Sequence, residues 1–157
     1  MKHLKTEKNG LVFHLSATEK RLLFELLDRY PVVSPDHQRL SKTMDLAKLE
    51  EDQKLLEEAL AEAKRENRKQ IVALLAEPGR FRAQAGGYRL TLTAAEIDWL
   101  LQILNDIRVG SWVKLGSPTD THARKAELTD QTAPHWWAME LSGLFQMVLL
   151  DALDSGS

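Results

Sequence analysis

The apolar positions change period along the chain, and the changes mark the elements. Leu11, Phe13 and Leu15 alternate with other residues, as do Tyr88, Leu90 and Leu92; a period of two places each set on one face of a strand. Each run follows a turn dipeptide, Asn9-Gly10 or Gly86-Gly87, and the two dipeptides lie 77 positions apart. Both suit two-residue hairpin loops, in which the central residues need positive φ. A hairpin closed at Asn9-Gly10 sets Leu4 opposite Leu15 and Thr6 opposite Phe13. One closed at Gly86-Gly87 sets Phe81 opposite Leu92, Ala83 opposite Leu90 and Ala85 opposite Tyr88. Each second strand then runs into a capping box, Ser16-x-x-Glu19 or Thr93-x-x-Glu96, which starts a helix. The pattern is a duplicated β-hairpin–helix unit, residues 2–30 and 79–107, with the hairpins joined in one antiparallel sheet.

Elsewhere the period is helical. Leu22, Leu23, Leu26, Leu27 and Tyr30 form the stripe of a half-buried helix from Ala17 to Tyr30, stopped by Pro31. Residues 31–42 carry two prolines and read as a loop, with one helical turn before Ser41. A long helix follows from Thr43 to Glu77, ended by Pro78-Gly79, with an imperfect stripe at Leu46, Leu49, Gln53, Leu56, Leu60, Ala63 and Asn67. The second capping box opens a helix from Ala94 to Leu115, in which Gly110 marks a close packing contact or a bend. Residues 116–133 are polar and read as a loop. The last helix spans Pro134 to Leu153 and is apolar nearly all round, from Trp136 and Trp137 to Leu149, Leu150 and Leu153. Such a helix is buried on most sides. The alternative is a homodimer surface, where Ser142 and Gly143 permit close helix approach and Trp and Met are at home. The expected fold is α+β and mainly α-helical, a single domain of 157 residues.

Composition narrows the function classes. Apolar residues make up 43% and charged residues 28%, the balance of a soluble globular chain. A net charge of −2 gives no general attraction to nucleic acid or an anionic membrane. The absence of cysteine removes disulfides, thiol nucleophiles and thiolate metal sites. No signal-peptide h-region opens the chain, and no apolar run reaches the ~20 residues of a membrane span. The expectation is a cytoplasmic protein with no cofactor.

Candidate chemistry is sparse. The five histidines show neither H-x₃-H nor H-E-x-x-H spacing, so no metal site is expected. His37 lies in a loop beside Asp36 and Arg39, and such loops carry function more often than core elements do. Asn105, Asp106 and Arg108 stand inside a helix, where Asn and Asp need partners. Asp28 occupies the place equivalent to Asn105, which favours a structural role: a buried ion pair or hydrogen bonds tying the two repeats. Lys64, Arg65, Arg68 and Lys69 form a basic patch that Glu62 and Glu66 partly neutralise. No aromatic residue is interleaved with it, so nucleic-acid binding through Lys64–Lys69 ranks third.

The run from Leu92-Thr93-Ala94-Ala95-Glu96 through Leu104-Asn105-Asp106-Ile107-Arg108 to Leu115-Gly116 resembles the signature of an uncharacterised bacterial family, the domain of unknown function twenty-seventeen. The Trp-rich C-terminal helix and the strand-then-helix opening are similar too, so the resemblance covers most of the chain. Lys114 stands where the family has arginine before Leu-Gly, and Trp112 where it has a small residue. The anion contact of that arginine is therefore not carried over. The resemblance implies no known activity. Some members are encoded beside the adaptor of the Clp protease, which implies a partner in regulated proteolysis. The leading reading is a non-catalytic interaction or regulatory protein, a partner of the Clp adaptor system or a homodimer. The second is an enzyme with a site near His37 or Asp106 and Arg108. Candidate functional residues are His37, Arg39, Asn105, Asp106, Arg108, Trp112 and Lys114.

Overall fold

A computed structural model describes residues 1–33, 46–119 and 128–155. Two hairpins, β1 (Lys2–Glu7) with β2 (Gly10–Leu15) and β3 (Phe81–Gln84) with β4 (Gly87–Leu92), form one sheet in the order β1-β2-β4-β3. Each hairpin feeds a helix, α1 (Ala17–Asp28) or α3 (Ala94–Lys114). Between the units runs α2 (Leu46–Ala76), and α4 (Ala133–Ser155) closes the chain. The fold is α+β and mainly helical, built on the duplicated unit.

The two second strands meet at the centre of the sheet. Leu11 pairs with Leu92, Phe13 with Leu90 and Leu15 with Tyr88, antiparallel. Phe13 and Leu90 are equivalent positions of the two repeats, so the pairing is symmetric about them. Their inward faces meet α1, α3 and α4 in a core that includes Phe13, Leu15, Leu27, Leu92, Ile103, Ile107 and Leu149.

Both hairpins close one residue earlier than the turn dipeptides predict. Lys8–Asn9 and Ala85–Gly86 form the turns, because Glu7 pairs with Gly10 and Gln84 with Gly87. Thr6 therefore faces Leu11, Phe81 faces Leu90 and Ala83 faces Tyr88. Leu4 falls at an irregularity between His3 and Lys5 and is exposed, so it does not meet Leu15. From Lys5 onward and in the second hairpin these registers differ from the expected ones by two residues, which keeps those side chains on their own face; before the irregularity the difference is three, so His3 shares the face of Phe13.

The capping boxes match almost atom for atom. The amide of Glu19 donates to Ser16 Oγ at 3.1 Å while Glu19 accepts from the Ser16 amide at 2.9 Å. The corresponding distances at Thr93 and Glu96 are 3.1 and 2.9 Å. Arg80 steadies the second box by donating to both Glu96 oxygens, at 2.9 and 2.8 Å. Thr93→Ala and Ser16→Ala are each expected to cost about 1 kcal/mol through an orphaned helix amide. Urea denaturation checks this, and stability unchanged in both variants would refute the capping role.

Helix α2 is tied down along its C-terminal half, where Ile71 and Leu74 enter the core. The expected stripe is only half-buried at Leu49, Gln53, Leu56, Leu60 and Asn67, and Ala63 is exposed. Gly110 marks a close contact, since a Cβ there would lie 2.9 Å from Val32 Cβ. Helix α4 buries Trp136, Ala138, Ser142, Phe145, Leu149 and Ala152. Its opposite face departs from the expected burial on most sides, with Leu144, Met147 and Leu150 between 51% and 59% exposed. No helix among the described residues is long and apolar enough to cross a membrane.

Candidate functional site

Helix α3 carries five of the seven candidate residues and divides them among three places. His37 and Arg39 lie outside the described residues.

The first place is a cleft between α3 and α4. Residues at i, i+3, i+4 and i+7 share a helix face, and Asn105, Arg108, Val109 and Trp112 have that spacing. They form one wall, and Met139, Glu140, Gly143, Leu144 and Met147 of α4 form the other. Lys114, near the end of α3, lies by His135 at the start of α4. Further back, Gln146 accepts from Arg108 and donates to the Leu101 carbonyl, both at 3.5 Å. The two helices are therefore antiparallel, and the cleft between them encloses about 860 Å³. Trp112 is held by its indole N–H, which donates to the Pro118 carbonyl at 3.0 Å and leaves the ring 37% exposed. Asn105 does not join Asp28 in tying the repeats together. It is exposed in this cleft, whereas Asp28 pairs with Arg68 of α2 at 2.8 Å.

The second place is the seam between α3, α2 and the end of α1. Asp106 lies one residue, about 100°, round the helix from Asn105, and Lys64 of α2 is its charged neighbour. Partial loss of water raises the carboxyl pKa of Asp106, and Lys64 opposes that rise. Asn67 bridges the seam by donating to Tyr30 Oη at 3.0 Å and accepting from Trp99 Nε1 at 3.1 Å. The basic patch belongs here as well. Lys64 donates to the Val33 carbonyl at 2.6 Å and Arg68 to the Leu27 carbonyl at 3.1 Å, satisfying acceptors at and beyond the end of α1. Arg65 and Lys69 pair outward with Glu62 and Glu66, at 2.5 and 3.3 Å. Asp106 and Arg108 thus face different helices and do not form one site.

The third place is the junction of α1, α3 and α4. Arg29 Nη2 donates to His135 Nδ1 at 3.2 Å, and Lys114 adds a second positive charge nearby. Burial, then Arg29, then Lys114 hold the imidazole pKa below its ordinary value of 6.5. A histidine kept neutral by the fold stabilises it fully above about pH 6.5, and that contribution is lost as the pH falls through the lowered value. Stability is therefore expected to fall more steeply below pH 6.5 in the native chain than in His135→Gln. Urea denaturation from about pH 8 to about pH 5 tests this, and parallel curves would overturn it.

Among the described residues, no three His, Asp, Glu or Cys side chains converge as metal ligands. A smaller cleft of about 700 Å³ lies between α2 and α3, walled by Ala73, Leu74, Pro78, Ala95 and Trp99. The cationic group at its edge, Arg80, is already bound to Glu96. Met139, Leu144 and Met147, which shape the main cleft, stand outside the seven candidates and entered the sequence reading only as part of the apolar last helix. Their signal was present as apolar positions in excess of one buried stripe. Comparison of the chain with family models, with curated proteins and with solved structures finds no match.

Proposed function

We propose that this is a non-catalytic interaction protein of the cytoplasm, and that it binds other protein chains through the α3–α4 cleft. One observation carries the reading: Val109, Trp112, Leu144, Met147 and Leu150 stand 37% to 59% exposed along two adjoining helices. Apolar patches of this kind, rimmed by polar groups, mark protein contact surfaces. Trp and Met are enriched in such surfaces, and Met adapts its shape to a partner. Asn105, Arg108 and Glu140 supply the polar rim that would set orientation.

The finer proposal draws on the resemblance to the domain of unknown function twenty-seventeen. Its members encoded beside the Clp adaptor make that adaptor the first partner to test, and regulated proteolysis the process. Affinity capture from native extract, with the native chain and with Leu144→Arg as baits, tests the reading. A protein retained by the native chain and released by the variant is expected. Recovery of a stoichiometric small molecule or metal, with no protein partner, would overturn it.

A further inference from the structure

We propose that the open face of the sheet binds the phosphate backbone of double-stranded nucleic acid, without regard to its sequence. This is a second surface, independent of the α3–α4 cleft.

The strand register lines up the cations. Lys2 pairs with His14, His14 with Arg89 and Arg89 with Arg82. One row of basic side chains therefore crosses all four strands on the face turned away from the helices. Lys5 lies on the same face of β1. Glu7 is the single carboxylate in the four strands, and it is shared by Lys5 and Arg89, each at 2.8 Å. Lys2 and Arg82 are exposed and have no acidic partner among the described residues. Four Lys and Arg side chains thus stand against one carboxylate, on a chain whose net charge is −2.

Charged side chains on edge strands discourage edge-to-edge pairing, which accounts for Lys2 on β1 and Arg82 on β3. It does not account for His14 and Arg89, which stand on the two central strands. Arg82 and Arg89 are directly opposite each other, and like charges so placed destabilise a sheet. An anion lying across the row turns that cost into attraction. The two arginines line a cleft of about 530 Å³ with Asn9 and Thr91, whose amide and hydroxyl can donate to phosphate oxygens beside the guanidinium groups. The acids of the same cleft, Glu7 and Glu77, are already bound to cations, Glu77 to Arg80.

The chemistry of the face selects among polyanions. Protein contacts are anchored by aromatic and apolar side chains. Among the paired outward residues the one apolar side chain, Val12, is fully buried, so an acidic protein finds no anchor here. With no aromatic residue but His14 in the row, the stacking that single strands use is missing too. A duplex backbone needs neither, because cations alone bind its phosphates. Neighbouring strands are ~4.8 Å apart, so Lys2 and Arg82 stand about 14 Å apart. That span is comparable with the ~12 Å major groove, whose two rims carry the phosphates.

Fluorescence anisotropy of a labelled DNA duplex of about 20 base pairs, titrated with the full chain from about 20 mM to about 200 mM salt, tests this. A dissociation constant on the order of 10 µM is expected at the low end, alike for unrelated sequences. The logarithm of affinity is expected to fall against that of salt with a slope of about −3. Arg82→Gln breaks no contact of the fold and is expected to weaken binding about fivefold and to reduce the slope by about one. Arg65→Gln removes the same charge from α2 and is expected to change neither. Absence of binding at low salt, or equal weakening by the two variants, would overturn the proposal. So would poly-glutamate of equal charge binding as tightly as the duplex, since the occupant would then be an acidic protein or any polyanion.

Discussion

Gly87→Ala is expected to destabilise the protein by on the order of 3 kcal/mol or more, and Gly10→Ala to do nearly as much. The two glycines are equivalent residues of the two repeats, and each sits under the end of the other repeat's central strand. A Cβ on Gly10 would lie 2.5 Å from the Leu92 carbonyl oxygen, and one on Gly87 would land on the Leu15 carbonyl. Backbone cannot move aside as a flexible side chain can. Both glycines also hold positive φ, 142° and 156°, where a side chain adds strain. Gly86 is the control. It sits in the turn at φ 81° with nothing within 4 Å of an added Cβ, so Gly86→Ala pays only the conformational strain of about 1 kcal/mol. Denaturant midpoints for the three variants check the order. Equal losses at Gly86 and Gly87 would show that turn geometry, and not the strand crossing, requires the glycine.

That contrast explains why the sequence located both hairpins yet misplaced their turns. Alternation of Leu11, Phe13 and Leu15 specifies which face is buried, and a slip of two residues preserves the face. Turn chemistry was the remaining guide to register. Asn9-Gly10 and Gly86-Gly87 are natural loop centres, but the second residue of each pair, Gly10 or Gly87, belongs to the start of a strand. It is required there by the backbone of the other repeat, Leu92 for Gly10 and Leu15 for Gly87, a long-range contact that no local rule sees. The capping boxes were legible because all their partners lie within four residues.

The candidate site was legible in part for a related reason. Asn105, Arg108 and Trp112 were singled out one by one, and helical spacing alone puts them on one face. Pairing that face with Met139, Leu144 and Met147 needed the α3–α4 packing, a tertiary fact. Asp106 was grouped with Arg108 by proximity in sequence, although two residues apart on a helix is about 200° of rotation. The dual nature of α4 was hidden because both of its faces are apolar. Size gave the one available hint, since Ala138, Ser142 and Ala152 line the buried face, where other elements approach closely. Leu144, Met147 and Leu150 stand on the open one.

Leu149→Ala and Leu144→Ala are therefore expected to behave oppositely, although the residues are five positions apart on the same helix. Leu149 is fully buried in the central cluster. Its truncation removes the transfer free energy of the lost methyl groups and leaves a cavity, together about 2–5 kcal/mol. That is a large fraction of the roughly 5–15 kcal/mol that holds a domain together. Leu144 is 59% exposed, so its truncation is expected to change the stability of the isolated chain by no more than about 0.5 kcal/mol. The difference appears with concentration. Binding to the folded state alone raises the melting temperature by mass action, so Leu144→Ala lowers it only where copies of the chain associate. Thermal melts at high dilution and at high concentration, on both variants, separate the cases. Leu149→Ala is expected to melt early at every concentration, and Leu144→Ala to melt with the native chain at high dilution. Equal losses at high dilution would mean that Leu144 is enclosed by its own chain, and the cleft would then be part of the core.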